Sequence, residues 1–151
     1  MVERWFVAAL HVLTLGIGMA GIVARSIALR NVARGDSGAV AQALNADNAW
    51  GLAAILWLVT GLLRAFAGLE KGTDYYLANS LFWVKMALFG LIFVLELRPM
   101  ITLIRWRIQR GRGQTPDLAP AGDFARAGAI QIILLVVMVF LASAMARGFG
   151  V

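Results

Sequence analysis

Apolar residues fall into four long runs along the chain, and short polar segments separate them. Each run approaches or exceeds the ~20 residues that a helix needs to cross a bilayer core of ~30 Å. Backbone amides in lipid must be bonded within their own segment, and the runs are too long and too uniformly apolar for barrel strands, so the pattern predicts helices. The predicted helices cover roughly residues 5–29, 49–67, 81–104 and 124–146. We therefore expect an all-α integral membrane four-helix bundle, with residues 1–151 forming a single transmembrane domain.

The polar connections carry turn signals and charges. The first contains Gly35 to Gly38, a turn signal that a short amphipathic segment can follow. The second, GLEKGTDYYLANS, has Tyr75 and Tyr76 at the depth of an aromatic belt. The third, residues 105–122, is predicted to be a flexible basic loop because it combines arginines with glycine and proline.

Residues with side-chain oxygens precede three of the predicted helices. Asp47 and Asn48 stand before the second helix, Asn79 and Ser80 before the third. Asp123 stands before the fourth. Such oxygens accept hydrogen bonds from the unpaired amides of a helix start, so we expect these residues to be N-caps.

The composition excludes an ordinary soluble domain. Hydrophobic residues make up 61% of the chain, and the mean hydropathy is +0.80. The absence of cysteine excludes disulfides and thiolate metal sites. The net charge is +6, but most cations lie beside the apolar runs, so we expect lipid headgroups rather than nucleic acid as partners. We expect the first run to be a retained span, because Glu3 precedes it and it is longer than a signal-peptide core.

The cations are distributed unevenly between the two sides of the predicted bundle. The first and third connections with their adjoining helix ends carry most of them, and the opposite side has only Arg4, Arg64, Lys71 and Arg147. The positive-inside rule then places the first and third connections in the cytoplasm and both termini outside. The residues on the basic side are Arg25, Arg30, Arg34, Arg98, Arg105, Arg107, Arg110, Arg112 and Arg126.

Charged side chains inside the spans are predicted to form two groups. Charges in lipid cost about 2.5 to 3.5 kcal/mol each on insertion scales, so they normally face the bundle interior. The group in the inner half has charges that nearly cancel, and we interpret it as mainly structural. Its members are Arg25, Asp47, Asn48, Glu96 and Arg98.

The outer group contains His11, Lys85 and Arg64, and no carboxylate lies within the spans at this depth. A lysine in lipid must lose its proton, reach the interface or bind an anion, and a cofactor propionate or a lipid headgroup would satisfy it. A neutral His11 can ligate a metal through one ring nitrogen, and we name it as the candidate metal ligand. The alternative is a buried histidine that is hydrogen-bonded to a neighbouring helix.

A cofactor at this depth would need walls and a second ligand. Trp57 and Phe89 share helix faces with the charged residues and are the candidate walls. A single histidine cannot form a bis-histidine haem or a zinc site with several histidines. By depth Met145 is the most plausible methionine ligand, and a five-coordinate site is the alternative to a second ligand drawn from Met19, Met86, Met138, Met145 and Lys85. No Ser-His-Asp set and no Walker loop is evident.

The blocks GLEKG, YYLAN, FWVKM and LIRWR, with ALHVL near the start, identify a resemblance that covers essentially the whole chain. The chain resembles an uncharacterised family of bacterial inner-membrane proteins, a domain of unknown function. This resemblance implies a multi-pass protein of the bacterial inner membrane and no particular activity.

More distantly, the layout resembles the superfamily of the copper-resistance D protein and the J-type protoporphyrinogen oxidase. In that oxidase, a histidine in an ALH context and a lysine in a W-x-K context are associated with haem b binding and porphyrin oxidation. His11 in ALHVL and Lys85 in FWVKM match these two positions. The oxidase has further histidines, whereas His11 is the single histidine here.

Two functional hypotheses follow. In the first, the protein binds haem b or another tetrapyrrole in a redox role, with His11 as axial ligand and Lys85 and Arg64 as propionate partners. In the second, it is a small transporter or an assembly partner without a cofactor, and His11 and Lys85 form a proton- or anion-responsive site. Small-residue faces also make a homo-oligomer an expectation.

Overall fold

The structure, a computed structural model, describes residues 2–150 and is built of helices. In chain order these are α1 (Val2–Ala33), α2 (Ala39–Phe66), the short α3 (Thr73–Ala78), α4 (Ser80–Gly111) and α5 (Ala121–Ala146). The four helices other than α3 are each long and apolar enough to cross a membrane. The predicted all-α membrane fold with four spans is therefore confirmed.

The helices extend beyond the predicted spans. A helix of 32 residues, such as α1, is about 48 Å long, well over the ~30 Å of hydrocarbon. The second helix begins at Ala39 rather than near residue 49, and α4 continues to Gly111, so residues 105–111 of the predicted basic loop are helical. Hydropathy marks only the part of a helix in lipid, whereas alanine, arginine and glutamine continue it into water because their helix propensity is high.

Only one of the three predicted caps is confirmed as such. Asn79 precedes α4, and its side-chain oxygen accepts from the amides of Leu81 at 2.9 Å and Phe82 at 3.3 Å. The prediction for Asp47 and Asn48 is wrong, because both lie inside α2. The Asp36 carboxylate, three residues before α2, accepts from the amides of Gly38 and Ala39 instead.

The prediction that Asp123 caps the last helix is also wrong. Asp123 lies in the first turn of α5, which begins at Ala121 after Pro120. Its carboxylate pairs with Arg126, one turn further along, at 3.2 Å. An acidic residue in the first turn still interacts favourably with the positive end of the helix dipole.

The first helix lies at the centre of the packing. It packs against α2 and α5, and α4 packs mainly against α5. We call the end where α1 and α4 finish and α2 and α5 begin the arginine-rich end, and the other the opposite end. Apolar side chains of all four helices cover the outside, where they contact lipid, and a buried cluster that includes Leu29, Leu103 and Trp106 fills the arginine-rich end.

The contact between α1 and α2 depends on a glycine. A Cβ atom placed on Gly21 would lie 2.9 Å from the backbone nitrogen of Trp50 and 3.3 Å from the carbonyl oxygen of Ala46. Backbone atoms cannot move aside as the end of a side chain can. At Gly21 the backbones of α1 and α2 are therefore too close together to leave room for a side chain.

We expect Gly21→Ala to lower the free energy of unfolding by about 1 to 3 kcal/mol, since the added methyl group must push the two helices apart. Unfolding of the purified protein in mixed micelles, followed by tryptophan fluorescence, measures this change. Gly16→Ala is the matched control, because a Cβ there meets nothing within 4 Å. Equal loss in both variants would contradict the close-approach argument.

Candidate functional site

His11 is held between α1 and α2 near the opposite end of the bundle. Its Nδ1 lies 2.8 Å from Thr60 Oγ1, and its ring is stacked on the Trp57 ring with centroids 5.5 Å apart and an interplanar angle of 18°. Gly61 makes room for the imidazole, because a Cβ at this position would lie 3.2 Å from His11 Cε1. His11 and Trp57 are therefore neighbours as predicted, and Thr60 and Gly61 lie beside them. The bond to Thr60 of α2 is also the arrangement expected of the alternative, a histidine hydrogen-bonded to a neighbouring helix.

The hydrogen bonds of Thr60 favour the tautomer of His11 that carries its proton on Nδ1. The hydroxyl donates to the carbonyl of Leu56 at 2.7 Å, with the carbonyl of Trp57 at 3.1 Å. A hydroxyl has one proton to donate, so when that proton goes to Leu56, Thr60 Oγ1 accepts from His11 Nδ1–H. In the neutral imidazole the lone pair then lies on Nε2, as in histidines that bind a metal through Nε2.

Lys85 approaches the same tryptophan from α4. Its Nζ lies 6.0 Å from the centroid of the Trp57 ring, and Phe89, one turn further along α4, is 6.2 Å from that ring between centroids. Within residues 2–150 Lys85 forms no ion pair. The buried Trp57 Nε1–H also lacks a hydrogen-bond partner there. Two N–H donors without acceptors thus lie at Trp57, the residue whose ring stacks on the imidazole.

Arg64 has a partner, unlike Lys85. Its Nε and Nη2 donate to Glu70 Oε1 at 3.1 and 2.5 Å. Tyr76 of α3 lies nearby, and burial together with the Glu70 carboxylate raises the pKa of its phenol above the ordinary value. Tyr76 therefore stays neutral at physiological pH. Among the predicted anion partners, Lys85 is the cation whose charge is not already neutralised by a carboxylate.

Met145 is located in another part of the bundle. It is buried in a cluster with Ala65 and Phe82, separate from the cluster that contains Trp57. Its main-chain carbonyl accepts from Lys71 Nζ at 3.1 Å and from Tyr75 OH at 2.6 Å. These bonds tie the end of α5 to the second connection, and the Met145 side chain packs with Ala65 and Phe82 rather than with Trp57.

A second polar cluster, which we call the inner network, joins all four long helices. Arg25 of α1 donates to Asp47 of α2 at 2.7 Å and to both carboxylate oxygens of Glu96 of α4 at 2.5 and 2.7 Å. Gln131 of α5 donates to Glu96 Oε2 at 2.8 Å, and Arg107 donates to Asp47 Oδ2 at 2.7 Å. Two arginines and two carboxylates give this network no net charge.

The inner network agrees in part with its prediction. Arg25, Asp47 and Glu96 pair as expected, whereas Asn48 and Arg98 are exposed and outside the network. Arg107 and Gln131 were missed as members. Arg107 follows Glu96 by eleven residues, close to three helical turns, so the two residues lie on the same face of α4. This shared face could be predicted only from a helix that continues past residue 104.

Thr60 was also missed by the sequence reasoning. It follows Trp57 by three residues, which is one helical turn, and this spacing indicates a shared face. A threonine in an apolar helix usually bonds its own backbone, as Thr14 does to the His11 carbonyl at 3.0 Å and Thr60 to that of Leu56, so its sequence alone does not indicate a second partner. The pairing with His11 depends on how α1 and α2 are aligned, which periodicity alone does not give.

No group of three or more histidine, cysteine, aspartate or glutamate side chains within residues 2–150 is arranged to hold a metal ion. The two clusters are separate, since His11 and Arg25 are fourteen residues apart on α1, about 21 Å along the axis.

Four apolar helices that face lipid outside and join polar side chains inside define a multi-pass membrane protein of the four-helix-bundle class. The chain belongs to the family described as "Predicted membrane protein (DUF2214)", whose model matches residues 3–150. The predicted membership in a membrane family of unknown function is thus confirmed. No functionally curated protein and no solved structure matches the chain.

Proposed function

We propose that this protein binds haem b or a related tetrapyrrole in the opposite half of the bundle, in the bacterial inner membrane, with His11 as axial ligand. The observation that carries the proposal is the hydrogen bond of 2.8 Å between His11 Nδ1 and Thr60 Oγ1, which directs the free lone pair to Nε2. The matches of His11 and Lys85 to the haem-associated positions of the distant superfamily support the same assignment.

The side chains around His11 have the chemistry that a tetrapyrrole needs. The propionates of haem are carboxylates, and Lys85 Nζ and Trp57 Nε1–H are donors without acceptors in residues 2–150. Trp57 and Phe89 offer aromatic surface for a flat ring. Arg64 is less available to bind a propionate, because its guanidinium already donates to Glu70. Bound haem b would supply one-electron redox chemistry, and these residues would bind and orient it.

The test is the absorption spectrum of the protein purified in detergent after expression with a haem precursor supplied. We expect a Soret band in the wild type and its loss in His11→Ala, with recovery when free imidazole is added to the variant. Recovery by imidazole shows that the variant is folded and lacks only the ligand. A wild type with no Soret band, and a spectrum that His11→Ala leaves unchanged, would exclude the haem assignment.

A site without a cofactor is the second candidate. It is favoured by the same donors, because Lys85 and the buried Trp57 N–H would also bind a small anion beside a histidine that can take up a proton. This is the chemistry of a small transporter or an assembly partner. Lys85→Met distinguishes it in proteoliposomes, since equal anion flux in wild type and variant would count against the second candidate.

Pairing of two copies is a separate proposal. Gly16, Gly51 and Gly90 have open space where a Cβ would lie, so small-residue faces are available for helix contact. The mass of the purified protein in detergent distinguishes one copy from two. The residues proposed to bind haem all belong to one chain.

A further inference from the structure

A cleft of about 590 Å³ lies at the arginine-rich end, and its lining includes neither His11 nor a residue of the inner network. One wall is the last third of α4, and the other is the segment that leads into α5, including Asp117 and Pro120. Apolar and polar residues line it in similar measure. Because α4 leaves its apolar run near Arg105, this cleft lies at the level where lipid headgroups meet water.

The α4 wall carries a polar stripe. Arg98, Thr102, Arg105 and Gln109 recur at steps of four, three and four residues, so they share one helix face. Leu97 and Ile101 flank the stripe and are 37% and 47% exposed. A groove with cationic and hydroxyl groups beside exposed apolar side chains matches an amphiphile with an anionic head.

The two arginines of the cleft are available for a ligand. Arg98 and Arg105 are both exposed, and within residues 2–150 neither forms an ion pair. The Arg98 guanidinium lies 5.8 Å from the centroid of the Phe124 ring, which orients it. Asp117 is the single carboxylate of the lining, and its Oδ1 already accepts from the amide of Ala119 at 3.0 Å.

The depth of the arginines suits a lipid phosphate. Arg98 precedes Arg105 by seven residues, about 10 Å along the helix, and its long side chain can extend towards the headgroup region. Guanidinium groups bind phosphate oxygens with paired N–H donors. Acyl chains of a lipid held there would run past Leu97 and Ile101 into the hydrocarbon.

We propose that this cleft binds the headgroup of an anionic phospholipid, with Arg98 and Arg105 on the phosphate and Leu97 and Ile101 along an acyl chain. The recognised chemistry is a phosphate anion, and the exposed apolar flank favours a lipid over free phosphate. On the predicted orientation, the lipid belongs to the cytoplasmic leaflet.

Native mass spectrometry of the full chain in detergent, with phosphatidylglycerol and phosphatidylcholine titrated separately, tests this site. We expect tighter binding of phosphatidylglycerol, and about fivefold weaker binding of it in Arg98→Gln and in Arg105→Gln, since a basic residue near an anionic surface contributes about 1 kcal/mol. Arg34→Gln is the matched control, being exposed at the same end but outside the cleft.

Asp117→Asn gives an independent measurement, because removing the carboxylate beside the phosphate should strengthen phosphatidylglycerol binding. Equal binding of the two lipids, or equal weakening in Arg34→Gln, would overturn the proposal. Competition by inorganic phosphate at the same concentration as the lipid would show a free-phosphate site and would overturn the lipid assignment. Unchanged or weaker binding in Asp117→Asn would overturn the placement of the headgroup.

Discussion

Arg25→Met is expected to lower the free energy of unfolding by about 3 to 5 kcal/mol, because it leaves buried carboxylates without their cation. The Arg25 side chain is 1% exposed, and those of Asp47 and Glu96 are 11% and 15% exposed. Asp47 keeps Arg107 as a partner at 2.7 Å, so the larger part of the cost falls on Glu96. Unfolding in mixed micelles, followed by tryptophan fluorescence, measures the loss.

A double variant separates a lost ion pair from damaged packing. Arg25→Met combined with Glu96→Met removes both charges of the strongest pair, and we expect it to regain most of the stability that Arg25→Met alone loses. Arg30→Met is the control, because Arg30 is exposed on the same helix and its removal strands no buried charge. If Arg25→Met is as stable as Arg30→Met, the inner network has no structural role.

Thr60→Val is expected to weaken haem binding by about 10- to 100-fold, the usual effect of removing a hydrogen-bond partner of a metal-binding histidine. Valine keeps the shape of threonine but cannot accept the Nδ1–H of His11, so the ring is free to rotate and to change its tautomer. This result depends on the proposed function. Titration of haem into the purified apoprotein, followed at the Soret band, gives the affinities.

Thr14→Val is the matched control for Thr60→Val. Both threonines are 3% exposed and lie close to His11, but Thr14 bonds the main-chain carbonyl of His11 and not its ring. We expect Thr14→Val to bind haem as the wild type does. The contrary result is that His11→Ala abolishes haem binding whereas Thr60→Val leaves the haem affinity unchanged. It would show that the bond to Thr60 is not needed to orient the His11 ring.

The fold was predictable because its main determinant is local. Four apolar runs of sufficient length specify spanning helices whatever their neighbours are, and Asn79 could be recognised as a cap from its place before such a run. The prediction for Asp47 was wrong because it also relied on local hydropathy alone. Hydropathy cannot see the polar beginning of α2, so a carboxylate in the middle of that helix was interpreted as a residue outside it.

The sites were predictable only in part, because helix alignment determines which side chains meet. Lys85 and Trp57 could be grouped with His11 from depth and face alone. The partner of the imidazole, Thr60, and the partner of Asp47, Arg107, depend on the rotation and vertical offset of neighbouring helices. Met145 shows the converse, since its depth suggested the imidazole and packing placed it against Phe82.

The inner network has a consequence for how the two hairpins of the bundle are arranged. Arg25 and Asp47 lie on the first two long helices, whereas Glu96 and Gln131 belong to segments that are synthesised later. The first hairpin, formed by α1 and α2, therefore contains both members of the pair Arg25–Asp47, whose charges cancel within it. Glu96, in contrast, has Gln131 as a hydrogen-bond donor on the second hairpin, but the cation that neutralises it is Arg25 of the first. Arg25 of the first hairpin thus fixes where Glu96 of the second must lie. This pairing favours one arrangement of the two hairpins over the alternatives that apolar packing alone would allow.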